Sequence, residues 1–290
     1  MRVRVATATI TAFFGLGAAI LATPHAGAAG GDRPVVVSHR GASGYAPENT
    51  LAAIDKAAAM GVGWVENDVQ RTRDGQLVVI HDATLDRTTD VKRLFPQRSP
   101  WRVKDFTARE IARLDAGSWF GRRFAGARVP TLWQYMRRVA HNHQSLVLEI
   151  KNPQLYPGIE RQTLDLLGRQ GWLDRGHLRD RLLVQSFSAA SVRKVHALRP
   201  AIRTAYLGTP KVTELKAYAR FADQVNSEYT KLSAPYVSEV HALRGPHGQP
   251  VKVFAWIVNR ADDARRLTGF GVDGLITNVP DVVRTAVTAP

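Results

Sequence analysis

The sequence predicts an α/β fold, a (β/α)8 barrel of the TIM type, on three observations. Short runs of apolar and β-branched residues alternate with helix-length segments from Val35 to Asn278. That alternation continues over about 250 residues without a linker or repeat that would split it, the usual length of such a barrel. Charged residues also gather where strands end: His39 and Arg40, then Glu66 and Asp68, then Glu149 and Lys151. In a barrel of this kind, reactive groups sit at the carboxyl ends of strands. The runner-up is an open doubly wound sheet. No G-x-G-x-x-G follows the first strand, which weakens a dinucleotide-binding version of it.

Val35 to His39 is a continuous β-branched run, the mark of a strand buried on both faces. A loop, GASGYAPENT, follows, and its Asn49 or Thr50 can cap a helix over Leu51 to Met60. Gly61 ends that helix, and Gly63 to Gln70 forms the second strand. The next connection is too short for a crossover helix and contains Asp74-Gly75, a hairpin signal. Leu77 to Asp82 is therefore expected to run antiparallel to the second strand, or to join it through an irregular turn. Hairpin pairing would lay His81 beside Glu66 and Asp68.

From Ala83 to Pro130 the text is irregular, with one short helix expected over Thr107 to Leu114, where Thr107 and Glu110 have capping-box spacing. So long an insertion after the third strand reads as a lid or wall over the site, anchored by Trp101, Trp119, Phe120 and Phe124; pinning a loop to the barrel is the competing role for those aromatics. Alternation then resumes, with helices over 132–140, 158–171, 189–197, 212–221, 235–243 and 261–269. They precede strands over 146–151, 182–187, 204–208, 224–229, 251–259 and 274–278. That makes nine strand candidates, or eight if one arm of the hairpin is an accessory.

The chain has 290 residues, 44% of them hydrophobic and 22% charged, which is ordinary for a globular protein. Residues 1–28 begin with Arg2 and Arg4, continue through an uncharged stretch and end in Ala26-Gly27-Ala28, the layout of a secretory signal peptide; a membrane anchor is the alternative. Residues 29–290 then form a single domain, expected to be secreted. The chain has no cysteine, which excludes both disulfides and a lipid-modified anchor. Net charge is +15, and +13 once Arg2 and Arg4 leave with the signal, so anions are the expected partners: a small phosphate, or an anionic membrane or cell-wall surface. The Lys and Arg residues are scattered without a nucleic-acid-binding pattern, so no nucleic-acid partner is expected.

Glu66 and Asp68, two apart on a strand, point to one side, and Glu149 from another strand can complete a three-carboxylate set. Buried carboxylates are costly unless paired or bound to metal, and an all-oxygen set favours Mg2+ or Ca2+. Each residue taken singly could be a structural salt bridge; seven converging groups could not all be.

HRGASGYAPENT, then E-x-D-V, T-x-D-G-x-x-V-V-x-H-D, LDRTT, E-I-K, Q-S-F, W-x-V-N and GVDGLIT follow one another along residues 35 to 281. In order and spacing they resemble the glycerophosphodiester phosphodiesterase family. The resemblance implies a phospholipase-C-like barrel in which His39 and His81 are the general acid/base pair. It further implies that Glu66, Asp68 and Glu149 bind one divalent cation, that Arg40 and Lys151 hold the phosphate of a glycerophosphodiester, and that Trp256 walls the substrate pocket; core packing is the other role open to Trp256. Asn67 stands where an apolar or small residue is commoner, and alternation aims it away from the carboxylates. Asn278 replaces a frequent Asp. His141, His143, His177, His196, His241 and His247 fall on predicted helices or loops and are read as surface residues.

Overall fold

The computed structural model describes residues 33–288. The stretch read as a signal peptide, 1–28, lies outside the described residues. In chain order the elements are β1 (Val35–Ser38), α1 (Leu51–Ala59), β2 (Trp64–Arg71), β3 (Leu77–Val79), α2 (Val91–Leu94), α3 (Ala108–Ile111), α4 (Leu132–His141) and β4 (Ser145–Ile150). There follow α5 (Ile159–Arg169), α6 (Arg175–Asp180), β5 (Leu182–Ser186), α7 (Ala189–Leu198), β6 (Thr204–Leu207), α8 (Val212–Tyr218) and β7 (Gln224–Glu228). The last are α9 (Ala234–His241), β8 (Lys252–Trp256), α10 (Ala261–Gly269), β9 (Gly274–Thr277) and α11 (Pro280–Thr288). The sheet runs β1-β9-β8-β7-β6-β5-β4-β2, and β1 pairs with β2 to close it. Those eight strands are parallel; β3 alone is antiparallel, an accessory arm on β2. This is the expected (β/α)8 barrel. Among the described residues no helix is long and apolar enough to cross a membrane.

Closure follows from where the apolar residues go. Val37, Val147, Leu183, Ala205, Phe254 and Ile276 fill the barrel interior as one buried cluster. Gly274 is needed there, because a Cβ on it would come within 2.6 Å of the Phe254 ring. Alternate residues such as Val65, Val69, Leu146 and Leu148 face outward and pack with Ile54, Leu132 and Tyr135 of the surrounding helices. The helices start on side-chain caps: Thr50 Oγ1 accepts from Ala53 N, and Thr131 forms a capping box with Gln134. Leu148 is fully buried between barrel and helices. Leu148→Ala is expected to destabilise the fold by about 2–5 kcal/mol, read as a fall in the denaturant midpoint at unchanged slope.

The hairpin forms as expected. Val69, Gln70 and Arg71 pair with Val79, Val78 and Leu77, and Gly75 turns the chain at φ +86°. The insertion beyond it differs from expectation. Its anchor is a mostly aliphatic cluster of Leu85, Val91, Val103, Ile111 and Leu114 around the buried Phe106, packed on Val78 and Ile80 and joined at its edge by Trp101. Trp119, Phe120 and Phe124 instead stack edge to face on one another, with Trp119 42% exposed. The helix expected over 107–114 is one turn, α3, held by the Thr107–Glu110 capping box. Three helices lie outside the sequence expectation. α2 is a single turn that buries only Val91 and α6 buries no residue, so neither carries an apolar stripe; α11 buries Pro280, Val283 and Ala286 at three-residue spacing, beyond the last expected strand.

Candidate active site

Asp68 on β2, Glu149 on β4 and Gln185 on β5 are aligned by the parallel register, Asp68 opposite Glu149 and Glu149 opposite Gln185. Glu66 sits two residues earlier on β2. Ligand oxygens from Glu66, Asp68 and Glu149 all lie within 4.8 Å of one another, and all three residues are buried. At the end of β1, Arg40 adopts φ +53° and its backbone N–H donates to Glu66 Oε2 at 2.9 Å. Gly41 follows at φ +80°, where a Cβ would come within 2.6 Å of the Ala53 backbone, so the turn that carries His39 and Arg40 can pack on α1 only as glycine.

The two cations brace the carboxylates. Arg40 Nε lies 3.2 Å from Asp68 Oδ2, and Lys151 Nζ lies 2.8 Å from Glu149 Oε1 and 3.7 Å from Asp68 Oδ1. Asn49 Nδ2 donates to Asp68 Oδ2 at 2.8 Å. Asp68 Oδ1 and Glu149 Oε1 nonetheless accept no aligned hydrogen bond although both are buried. Burial, then Asp68 and Glu149, push the Glu66 carboxyl well above the usual range. Burial and Asp68 likewise raise Glu149 to about 8, while in Asp68 the opposing pull of Arg40 and Lys151 outweighs burial and holds it low. Ionised together, the three carboxylates would outnumber the two cations, and two of their buried oxygens have no aligned donor. A small divalent cation with oxygen preference fits this set.

The histidines are held differently. His39 Nδ1 donates to Asn278 Oδ1 at 2.7 Å, an oxygen that also accepts from Ser43 Oγ, so the His39 lone pair is on Nε2, 4.0 Å from Glu66 Oε2. Burial first, and then Arg40, push His39 down to about 3, leaving a neutral imidazole. His81 Nδ1 instead donates to the carboxylate of Asp82 at 2.6 Å, itself held by Arg87, which also reaches Glu48 and through it Arg40. Gln70 Nε2 donates to the carbonyls of Ile80, His81 and Asp82, and Tyr156 Oη–H holds the Gln70 oxygen. Gln70 thus fixes the backbone that carries His81.

A cleft of about 120 Å3 is lined on one side by His39, Arg40, Glu66, His81, Glu149 and Lys151, and on the other by Gln185, Phe187, Leu207, Trp256, Ile257 and Ile276. Seven of the eight sequence-predicted site residues line it; the eighth, Asp68, lies beneath at 1% exposure. No lining residue comes from the insertion, which buttresses the site through Arg87 rather than covering it. Asn67 points away, as expected, and is fully buried without a polar partner. The sequence reading assigns no site role to Asn49, Gln70, Gln185, Phe187 or Asn278, although Asn49 stood there as a cap candidate, Gln185 and Phe187 as part of the Q-S-F motif and Asn278 as a departure from the family pattern. Asp82, next to His81, carried a local signal.

The reading of six surface histidines needs correction. His141 and His143 are exposed. His241 pairs with Asp273 and His247 with Asp223, both half-buried at the opposite mouth of the barrel. His177 packs on the Trp172 ring at 4.7 Å, and His196 has a buried Nδ1. For His177, His241 and His247, pairing with acids or with an aromatic ring outweighs the polar sequence around them.

Comparison with known proteins bears on the same residues. The sequence model of the glycerophosphoryl diester phosphodiesterase family matches residues 39–282. A glycerophosphodiester phosphodiesterase of Bacillus subtilis is 35% identical over 268 residues, 87% of this chain and 85% of its own. Another, from Caldanaerobacter subterraneus, is 36% identical over 253 residues, covering 87% and 96%. Among solved structures, an Oleispira antarctica phosphodiesterase in complex with the product sn-glycerol-3-phosphate matches at a TM-score of 0.76 and 29% identity, over 89% of this chain and 98% of that one.

Proposed function

Because this chain belongs to the glycerophosphoryl diester phosphodiesterase family, we propose that its cleft hydrolyses glycerophosphodiesters such as glycerophosphocholine to sn-glycerol 3-phosphate and an alcohol. The enzyme is a glycerophosphodiester phosphodiesterase. The finer reading is an exported hydrolase, dependent on one Ca2+ or Mg2+, with His39 and His81 as its acid/base pair. The observation that carries it is the single cleft lined by two histidines with opposite hydrogen-bond partners, converging carboxylates and two cations.

Glu66, Asp68 and Glu149 would hold the cation, whose charge would neutralise phosphoryl oxygen. Arg40 and Lys151 bind the remaining phosphoryl oxygens and orient the diester. His39, kept neutral by burial and by Arg40 and oriented by Asn278, offers the Nε2 lone pair to the proton of the nucleophile, either an adjacent substrate hydroxyl or water. His81, whose ring is oriented by the Nδ1–H bond to Asp82, gives a proton from Nε2 to the departing alkoxide. One proton is taken and one given, so before the next turnover His39 gives up its proton and His81 regains one: in the hydroxyl route by hydrolysis of the cyclic phosphate with the roles reversed, in the water route by exchange with solvent.

Purified protein assayed on glycerophosphocholine is expected to lose at least about 100-fold of its rate in EDTA and to recover it with Ca2+ or Mg2+. Hydrolysis that persists without metal would remove the cation from the mechanism.

A second reading keeps the site and changes the substrate to lysophospholipid or to a glycerophosphate polymer of the cell wall. It is favoured by Phe187, 50% exposed and packed edge to face on Trp256 at 5.5 Å, an apolar rim where an acyl chain or polymer could lie. The exposed Trp119, flanked by exposed Arg122 and Arg123, adds a surface suited to an anionic membrane or wall. Rates on these substrates relative to glycerophosphocholine decide between them.

A further inference from the structure

We infer that Gln185 is a substrate-binding residue whose Nε2 donates a hydrogen bond to a hydroxyl of the glycerol moiety, an assignment that rests on the reading just given. Gln185 is 2% exposed, yet it lines the cleft beside Glu149. Its Oε1 accepts from Asn226 Nδ2 at 2.8 Å, and Asn226 is itself fully buried two strands away. Ala205, the interior residue of the strand between them, leaves room for the two amides to meet.

The pairing holds the Gln185 amide from behind. With the oxygen engaged, Nε2 is the end left toward the cleft, and among the described residues no protein group accepts from it. The reverse orientation would turn Oε1 toward the layer of Asp68 and Glu149, oxygen against carboxylate, so the donor-outward orientation is favoured. The interior layer beneath it, Leu183, Val147, Ala205, Phe254 and Ile276, is apolar, and a leucine or methionine would fill the same volume without needing an amide partner. The phosphoryl oxygens are already served by Arg40 and Lys151, both charged. A neutral donor suits a hydroxyl instead, and a buried donor of this kind discriminates against substrates that lack its partner.

The test compares Gln185→Met with the unaltered enzyme on glycerophosphocholine and on bis(4-nitrophenyl) phosphate, a diester without hydroxyls. Expected is a loss of about 10- to 100-fold in kcat/KM on glycerophosphocholine, with a change of less than about 3-fold on the nitrophenyl diester. Equal losses on both, the sign of a structural role, overturn the assignment, as does no loss on either. If Gln185→Met does not fold, Gln185→Asn, which keeps an amide but withdraws it by one methylene, is expected to give the same split. An unaltered enzyme that cleaves the nitrophenyl diester but not glycerophosphocholine would overturn the underlying reading as well. Activity on both in that enzyme isolates the question to Gln185.

Discussion

His81→Ala is expected to lower kcat on glycerophosphocholine by about 1,000-fold and on bis(4-nitrophenyl) phosphate by about 10-fold or less. The difference follows from the leaving group. Choline departs as an alkoxide that needs a proton at once, whereas 4-nitrophenolate is stable without one. His81 is placed for that donation by Gln70, which binds three successive carbonyls around it, and by Asp82, whose carboxylate accepts from Nδ1 and so turns Nε2 toward the cleft. His39→Ala should behave differently. It removes the base, so both substrates lose about 100- to 10,000-fold. The measurement is kcat on the two substrates for each variant, with circular dichroism confirming that the barrel is intact. If His81→Ala were equally damaging on both substrates, the acid and base roles assigned to the two histidines would have to be exchanged or abandoned.

The parts of this site that could be read from the chain share a local cause. Parallel strands buried on both faces leave apolar runs such as VVVS and SLVLEI, and a charged residue that breaks such a run advertises itself. Glu66, Asp68 and Glu149 were found in that way, and period-two alternation correctly turned Asn67 outward. The hairpin at Asp74-Gly75 was legible from turn chemistry, and it does return His81 to the carboxylates. What escaped was pairing at a distance. Asn278 reaches His39 across 239 positions and Tyr156 reaches Gln70 across 86, and neither contact has a spacing rule. The insertion was misjudged for a related reason. Three of the four expected aromatic anchors, Trp119, Phe120 and Phe124, lie outside the buried cluster, because the surface opposite Val78 and Ile80 is filled by Leu85, Val91, Val103, Phe106, Ile111 and Leu114. Gln185 stood in view at the end of a strand, but its role depends on Asn226 from two strands away, so only the closed barrel reveals it.

Saturating Ca2+ or Mg2+ is expected to raise the melting temperature of the protein by roughly 5–10 °C, and Glu149→Gln is expected to abolish that rise together with about 1,000-fold of the activity. The reasoning begins with the metal-free state. Glu66 and Glu149 are pushed above the usual carboxyl range, first by burial and then by neighbouring acids, so the folded cluster holds protons that the unfolded chain would release. A carboxyl whose folded pKa is raised makes the native state the better proton binder between the unfolded value and the folded one. Stability of the metal-free protein therefore falls as pH rises from about 4.3 toward about 8, the raised value for Glu149. A bound cation takes the place of those protons, so the same pH rise should leave the loaded protein unaffected and should strengthen metal binding. Glu149→Gln removes one of the two oxygens that lack an aligned donor, and leaves two carboxylates matched by Arg40 and Lys151 with little charge left to attract an ion. Melting curves at pH 5 and pH 8, with EDTA and with each metal, carry the test. A metal-free protein whose stability does not fall over that interval, or a Glu149→Gln variant that still gains stability from the cation, would place the ion elsewhere.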